Sequence, residues 1–169
     1  MNSGCAAYNT ASQMMNNFNG VSTIKNVRLG LAGVTSKSGK FITKIGQDKI
    51  DSYNARRVED RRVYFKPEVV DAILVPNLTI DVIHGMASQC GTVEKIRLEH
   101  VKDRGLDTQI IVGDVRVEGP KMRNLLSLIV EAEPNHKIFF SPKFYTEETK
   151  PNHHKVVAIM TFNATARII

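Results

Sequence analysis

Tryptophan is absent from the chain, and aromatic residues make up only 7% of it. Cysteine occurs twice, at Cys5 and Cys90. Two thiols are too few for a disulfide framework, and nothing points to an oxidising compartment. No CxxC, HExxH or paired Cys/His spacing occurs, so neither a metal nor a cofactor is expected. The longest apolar runs are short, such as Ile110-Ile111-Val112 and Val156 to Met160. A membrane-crossing helix needs about 20 apolar residues, so no membrane partner is expected. The N-terminus lacks a basic stretch followed by an apolar core, unlike a secretory signal. Residues 1–22 contain no charged side chain and no clear period; they read as a flexible arm, or as a short helix from Ala11 to Phe18 that docks on a partner.

What is present suits a soluble, intracellular α+β chain. At 169 residues and 42% hydrophobic content, residues 23–169 can form a single α+β domain behind the arm. The net charge of +6 favours anionic partners: nucleic acid, an acidic protein or an acidic scaffold.

Alternation of Val27, Leu29 and Leu31 with Asn26, Arg28 and Gly30 predicts a strand beginning near Ile24. A turn at 36–40 returns into a strand from Phe41 to Ile45. Gly39-Lys40 does not make a phosphate loop, because Phe41 follows and Gly33 is one place too far away. Residues 46–66 read as a polar, basic loop. Pro67 and Thr79 open two expected helices, the second stopping at Gly91. Thr92 to Val101 and Thr108 to Val117 read as strands. Met122, Leu125, Leu126, Ile129 and Val130 have helical spacing. Lys137 to Phe140 is a short strand into Ser141-Pro142, and Val156 to Ile169 is strand-like. The sheet expected from this pattern is mixed or antiparallel, capable of closing toward a barrel, and flanked by two to four helices.

Four groups of residues could carry function. Ser141 follows an apolar strand that would fix its backbone, as a nucleophile requires, although Ser-Pro after a strand also makes an ordinary turn. His100, on a strand face with Ile96 and Leu98, could accept the serine proton, or could be a half-buried structural histidine. Asp114, Glu99 or another histidine could orient it. Arg56, Arg57, Arg61 and Arg62 could contact phosphate or an acidic peptide, or could form local ion pairs in a solvated loop. A Cys90 nucleophile with His84 or His100 is less favourable, because a thiol at a helix C-terminus is raised in pKa.

Several segments, in order, resemble the prohead (capsid-maturation) proteases of tailed phages, which are similar to herpesvirus assemblins. Ser52-Tyr53-Asn54, Arg61-Arg62-Val63-Tyr64 and Pro67-Glu68-Val69-Val70 resemble the family's entry into a helix. Leu98-Glu99-His100 resembles its catalytic-histidine segment. Val112 to Val117, with the helix at 121–130, resembles a strand and helix that follow. Phe140-Ser141-Pro142-Lys143 resembles its nucleophile segment, and Met160-Thr161-Phe162-Asn163 its (I/L)-x-x-FD strand. Val101 follows the histidine where the family usually has proline or another fixed residue, Lys143 stands for the usual arginine, and Asn163 stands where many members have aspartate.

The resemblance implies a serine endopeptidase with Ser141 as nucleophile and His100 as base. It would cleave viral scaffold and capsid precursors inside an assembling particle in the host cytoplasm, with self-association. Two other classes fit the composition: a non-catalytic virion subunit of capsid, tail or head completion, and a basic nucleic-acid-binding module that uses the arginines with Tyr53 and Tyr64 as stacking residues.

Overall fold

The computed structural model describes residues 2–20, 22–36, 38–65, 90–103, 106–117 and 134–167, with Arg123, Leu126, Ser127, Val130 and Glu131. In chain order the elements are β1 (Asn2–Ser3), β2 (Ala7–Thr10), α1 (Ala11–Asn16), β3 (Phe18–Asn19), β4 (Thr23–Ala32), β5 (Val34–Thr35), β6 (Phe41–Ile42) and α2 (Gln47–Asn54). A 3-10 turn (Val58–Arg61) leads into β7 (Arg62–Phe65), β8 (Cys90–Asp103), β9 (Leu106–Val117), β10 (Lys137–Lys150) and β11 (His153–Arg167).

The strands form one mixed sheet in the order β1-β10-β11-β7-β8-β9-β4-β3, with β2 beside β10 and the β5–β6 hairpin beside β11. Strand β11 runs parallel to β6 and β7, and the other pairings are antiparallel. The sheet curls into a half-barrel. The expected α+β class and mixed, barrel-like sheet are found, with α1 and α2 as the helices whose full span lies among the described residues. The helices expected from Pro67 and Thr79 fall largely outside those residues. Gly91, read as a helix stop, instead belongs to β8 and pairs with Val117. Arg123, Leu126, Ser127, Val130 and Glu131 are helical, as the spacing at 122–130 predicts, and Leu126 is buried in the core.

Period-two burial builds the core. Along β10, Ile138, Phe140, Pro142 and Phe144 are buried, while Lys137, Phe139, Ser141 and Lys143 between them are half-buried on the other face. Phe162 and Ala164 of β11 join the same inner face, with Val27 and Leu29 of β4 and Ile111 and Val115 of β9. Helix α2 contributes Ile50 and Tyr53, the latter edge-on to Phe162 with ring centroids 5.4 Å apart. Burial pushes the Tyr53 phenol up, and its hydroxyl has no hydrogen-bond partner. Tyr53→Phe is therefore expected to be neutral or to stabilise by about 1 kcal/mol, because it removes an unpaired buried polar group without changing shape. Urea unfolding checks this; a loss of more than about 1 kcal/mol would show that the hydroxyl is satisfied.

Residues 2–20 do not form the free arm expected from their composition. β1 and β2 pair with β10, and Cys5 bridges to Leu31 of β4. Thr10 and Gln13 then cap α1 reciprocally, each side chain bonding the other residue's backbone N–H. The helix buries Ala11 and Met14 against this chain's own core, not against a partner. Uncharged composition here marks a segment placed against the sheet.

Three side-chain amides stand in for missing strand neighbours. Asn9 bonds both the N–H and the carbonyl of Arg28, Asn54 does so for Ile96, and Gln109 for Ile45. Arg28 and Ile96 lie where the register of β4 and β8 shifts, so the ladder leaves their backbone groups to be satisfied in this way.

Candidate active site

Ser141 does not end a strand. It lies in the middle of β10, directly opposite Asn163 of β11. Asn163 is in turn level with Tyr64 of β7, and Tyr64 with Cys90 of β8, so these four residues form one row across four strands. The neighbouring row contains Pro142, Phe162 and Val63, all buried. Ser141 and Asn163, one residue out of phase, are half-buried on the opposite face. Directly opposed side chains of an antiparallel pair have Cβ atoms about 5 Å apart, so the serine hydroxyl and the asparagine amide are neighbours. Behind them, Phe140, Phe144 and Phe162 are fully buried and hold the strand in place.

His100 is not beside Ser141. The path through the sheet from β10 to β8 crosses β11 and β7. The β8 residue level with Ser141 is Cys90, ten positions before His100. Three strand spacings alone come to about 14 Å across the sheet. The His100 side chain is 56% exposed, with Nδ1 3.7 Å from Asp107 Oδ1. The expected Ser141–His100 pair is therefore not formed. The β8–β9 hairpin carries His100 to the far end of the sheet, where it meets Asp107, whose carboxyl is held below the usual range by the Lys44 hydrogen bond at 2.6 Å.

Asp114 does not orient His100 either. It is buried on β9, opposite Glu94. Its Oδ2 lies 3.1 Å from Lys25 Nζ, its Oδ1 accepts from the Asn26 N–H at 3.2 Å, and Arg97 Nη1 is 3.8 Å away. Asn26 and Lys95 both adopt left-handed backbone, with φ of 57° and 51°. Each sits where β4 or β8 shifts register, on either side of β9. Asp114 thus ties two bulges together.

The four arginines do not make one anion-binding surface. Arg56 lies 5.0 Å from the Tyr53 ring centroid and donates Nη1 to Met160 O at 3.0 Å and Nη2 to Ile159 O. Arg61 donates Nε to Arg56 O at 3.0 Å and Nη1 to Val93 O at 2.7 Å. These two guanidinium groups clamp the segment after α2 to β11 and β8. Arg57 is exposed and pairs with Asp60 at 3.2 Å, and Arg62 is an exposed residue of β7. A shallow cleft of about 470 Å³ lies against this clamp, lined by Asn54, Arg61, Glu94, Lys95 and Ile96.

The remaining placed histidines are also distant. His136 precedes β10, five residues from Ser141, about 16 Å along an extended chain. His153 and His154 pair with Lys150 and Glu148 at the other end of β10; Glu148, the nearer, is seven residues, or roughly 23 Å, from Ser141. His84 lies outside the described residues. No group of three or more His, Cys, Asp or Glu side chains that could hold a metal occurs among the described residues. No helix among them is long and apolar enough to cross a membrane.

Sequence reasoning missed the amide–backbone pairs of Asn9, Asn54 and Gln109. A polar amide at a position where alternation calls for an apolar residue, as at Gln109 ahead of Ile111, is the signal that was available. No family model, curated protein or solved structure matches the chain.

Proposed function

We propose that the chain is a serine endopeptidase of the prohead type, acting on scaffold and capsid precursors, with Ser141 as its nucleophile. One observation carries this reading. Ser141 belongs to the nucleophile-like segment and Asn163 to the FD-like strand of the resemblance; they are 22 residues apart in sequence and directly opposed in the sheet. A rigid strand, a half-exposed hydroxyl and an adjacent amide suit a nucleophile and a residue that positions its base.

In this reading Ser141 Oγ attacks a peptide carbonyl and gives its proton to an imidazole. The imidazole returns the proton to the leaving amine, and water then releases the acyl group. Asn163 can hold the imidazole by a hydrogen bond, as asparagine does in Cys-His-Asn enzymes, though without the charge that aspartate would supply. Of the five histidines, His100, His136, His153 and His154 are placed away from Ser141. That leaves His84 as the base to test in place of His100.

The test is the rate of fluorophosphonate labelling, alone and with assembled scaffold. Ser141→Ala is expected to abolish labelling, and His84→Ala to slow it by about 100-fold or more, as loss of a general base does. His100→Ala is expected to stay within about twofold of wild type. Loss of labelling in His100→Ala, with His84→Ala unaffected, would overturn the assignment.

The second reading, a non-catalytic virion subunit, is favoured by a different observation: among the described residues, no base reaches Ser141. Absence of labelling under both conditions would overturn the first reading.

A further inference from the structure

Residues 2–10 cross between two strands that do not bond each other directly. On one side, Asn2 and Ser3 pair with Phe144 and Lys143, and Ala7 to Thr10 pair with Phe140 to Lys137. On the other side, Cys5 O accepts from Leu31 N at 3.0 Å, and Asn9 holds Arg28. Between the two paired stretches, three residues, Gly4, Cys5 and Ala6, stand against two of β10, Ser141 and Pro142, so the segment bulges beside the candidate nucleophile. Pro142 explains the bulge. It has no N–H to donate, and its carbonyl takes the Gly4 N–H at 2.7 Å.

Few side chains hold this segment. Of residues 4–10, only Ala7 and Asn9 are buried, and Tyr8 is 43% exposed. Its pairing with β10 is made of backbone hydrogen bonds, which an extended polypeptide can replace by adding a strand to the same edge; the Asn9 bonds to Arg28 and the Cys5–Leu31 bridge break when the segment leaves. The buried side chains of β10, in contrast, include two fully buried phenylalanines.

We propose that residues 2–10 are a displaceable strap, occupying in the resting chain the β10 edge along which an extended polypeptide substrate pairs beside Ser141. The identity of the occupant rests on the endopeptidase reading. The opening of the strap does not.

The pair Cys5–Leu31 allows the strap to be locked. Opposed residues of an antiparallel bridge have Cα atoms about 4.5–5.5 Å apart, within the range of a disulfide. Full-length Leu31→Cys is compared oxidised and reduced, with wild type alongside. Hydrogen exchange read by mass spectrometry is expected to show residues 2–10 exchanging at least tenfold faster than β8–β9 in the wild-type and reduced forms, and at the β8–β9 rate when oxidised. Cleavage of casein, an unfolded test substrate, is expected to fall at least tenfold on oxidation and to recover with reductant. A strap that exchanges only with the whole sheet overturns the inference, as do equal cleavage rates in the two redox states. If no form cleaves casein or labels with fluorophosphonate while the strap still opens, the endopeptidase reading fails, and the substrate role of the strap fails with it.

Discussion

Gly30→Ala is expected to lower the midpoint of thermal unfolding by roughly 10 °C. Strands β4 and β10 meet inside the half-barrel at this glycine. A Cβ on Gly30 would lie 2.5 Å from Pro142 Cγ and 3.3 Å from Pro142 Cβ. The proline ring cannot swing aside as a long side chain does, so one strand must shift. Overpacking of this kind costs about 3 kcal/mol at the upper end of its usual range. In a chain of this size each kcal/mol moves the midpoint by about 2–4 °C. Gly39→Ala is the control. Nothing lies within 4 Å of its Cβ position, and its φ of 83° adds only local strain of about 1–2 kcal/mol. Calorimetry of the two variants decides: equal midpoints would mean that β4 and β10 are not in contact.

Asn54→Ala is expected to cost about 3 kcal/mol in urea unfolding. The Asn54 amide accepts from Ile96 N at 2.9 Å and donates to Ile96 O at 2.9 Å. Ile96 is 3% exposed and sits where β8 shifts register against β9, so its backbone groups have no ladder partner on that side. Removing the amide strands a donor and an acceptor, each worth about 1–3 kcal/mol when left buried and unpaired. Asn54→Asp separates the two bonds: the carboxylate still accepts from Ile96 N but cannot donate to Ile96 O. It should fall between alanine and wild type at neutral pH. If Asn54→Ala costs less than about 0.5 kcal/mol, water has replaced the amide and the clamp is not structural.

The long strands were legible in the sequence because their inward residues alternate. Val27 and Leu29 are buried with Arg28 exposed between them, as the period-two pattern requires, while β9 is buried on both faces from Gln109 to Val115. The class of fold followed from that pattern. The N-terminal segment was not legible, because a strand made of Ala7, Tyr8 and Asn9 has no apolar alternation to read. Its affinity for the sheet resides in backbone hydrogen bonds, and those leave no trace in composition. The stretch at 46–66 read as a loop for a related reason. Helix α2 has only Ile50 and Tyr53 facing inward, and Arg56 and Arg61 fix the segment after the helix through backbone carbonyls.

The candidate site was half legible. The residue types around Ser141 and Asn163 drew attention to both, but their adjacency depends on the register of β10 against β11. That register passes through three shifts after Lys143, which no sequence pattern announces. His100 failed for a plainer reason. Sharing a strand face with Ile96 and Leu98 fixes a direction, not a neighbour, and two strands lie between β10 and β8 whichever way round the sheet is followed.

Locating the phosphonate adduct tests the central claim most directly. After reaction with a fluorophosphonate in the presence of assembled scaffold, the protein is digested with trypsin and mapped by mass spectrometry. Ser141 is the only serine between Lys137 and Lys143, so the fragment 138–143 reports on it alone. The account predicts the adduct on this fragment, and its loss in Ser141→Ala. An adduct on any other fragment, or an unmodified 138–143 throughout, would contradict it.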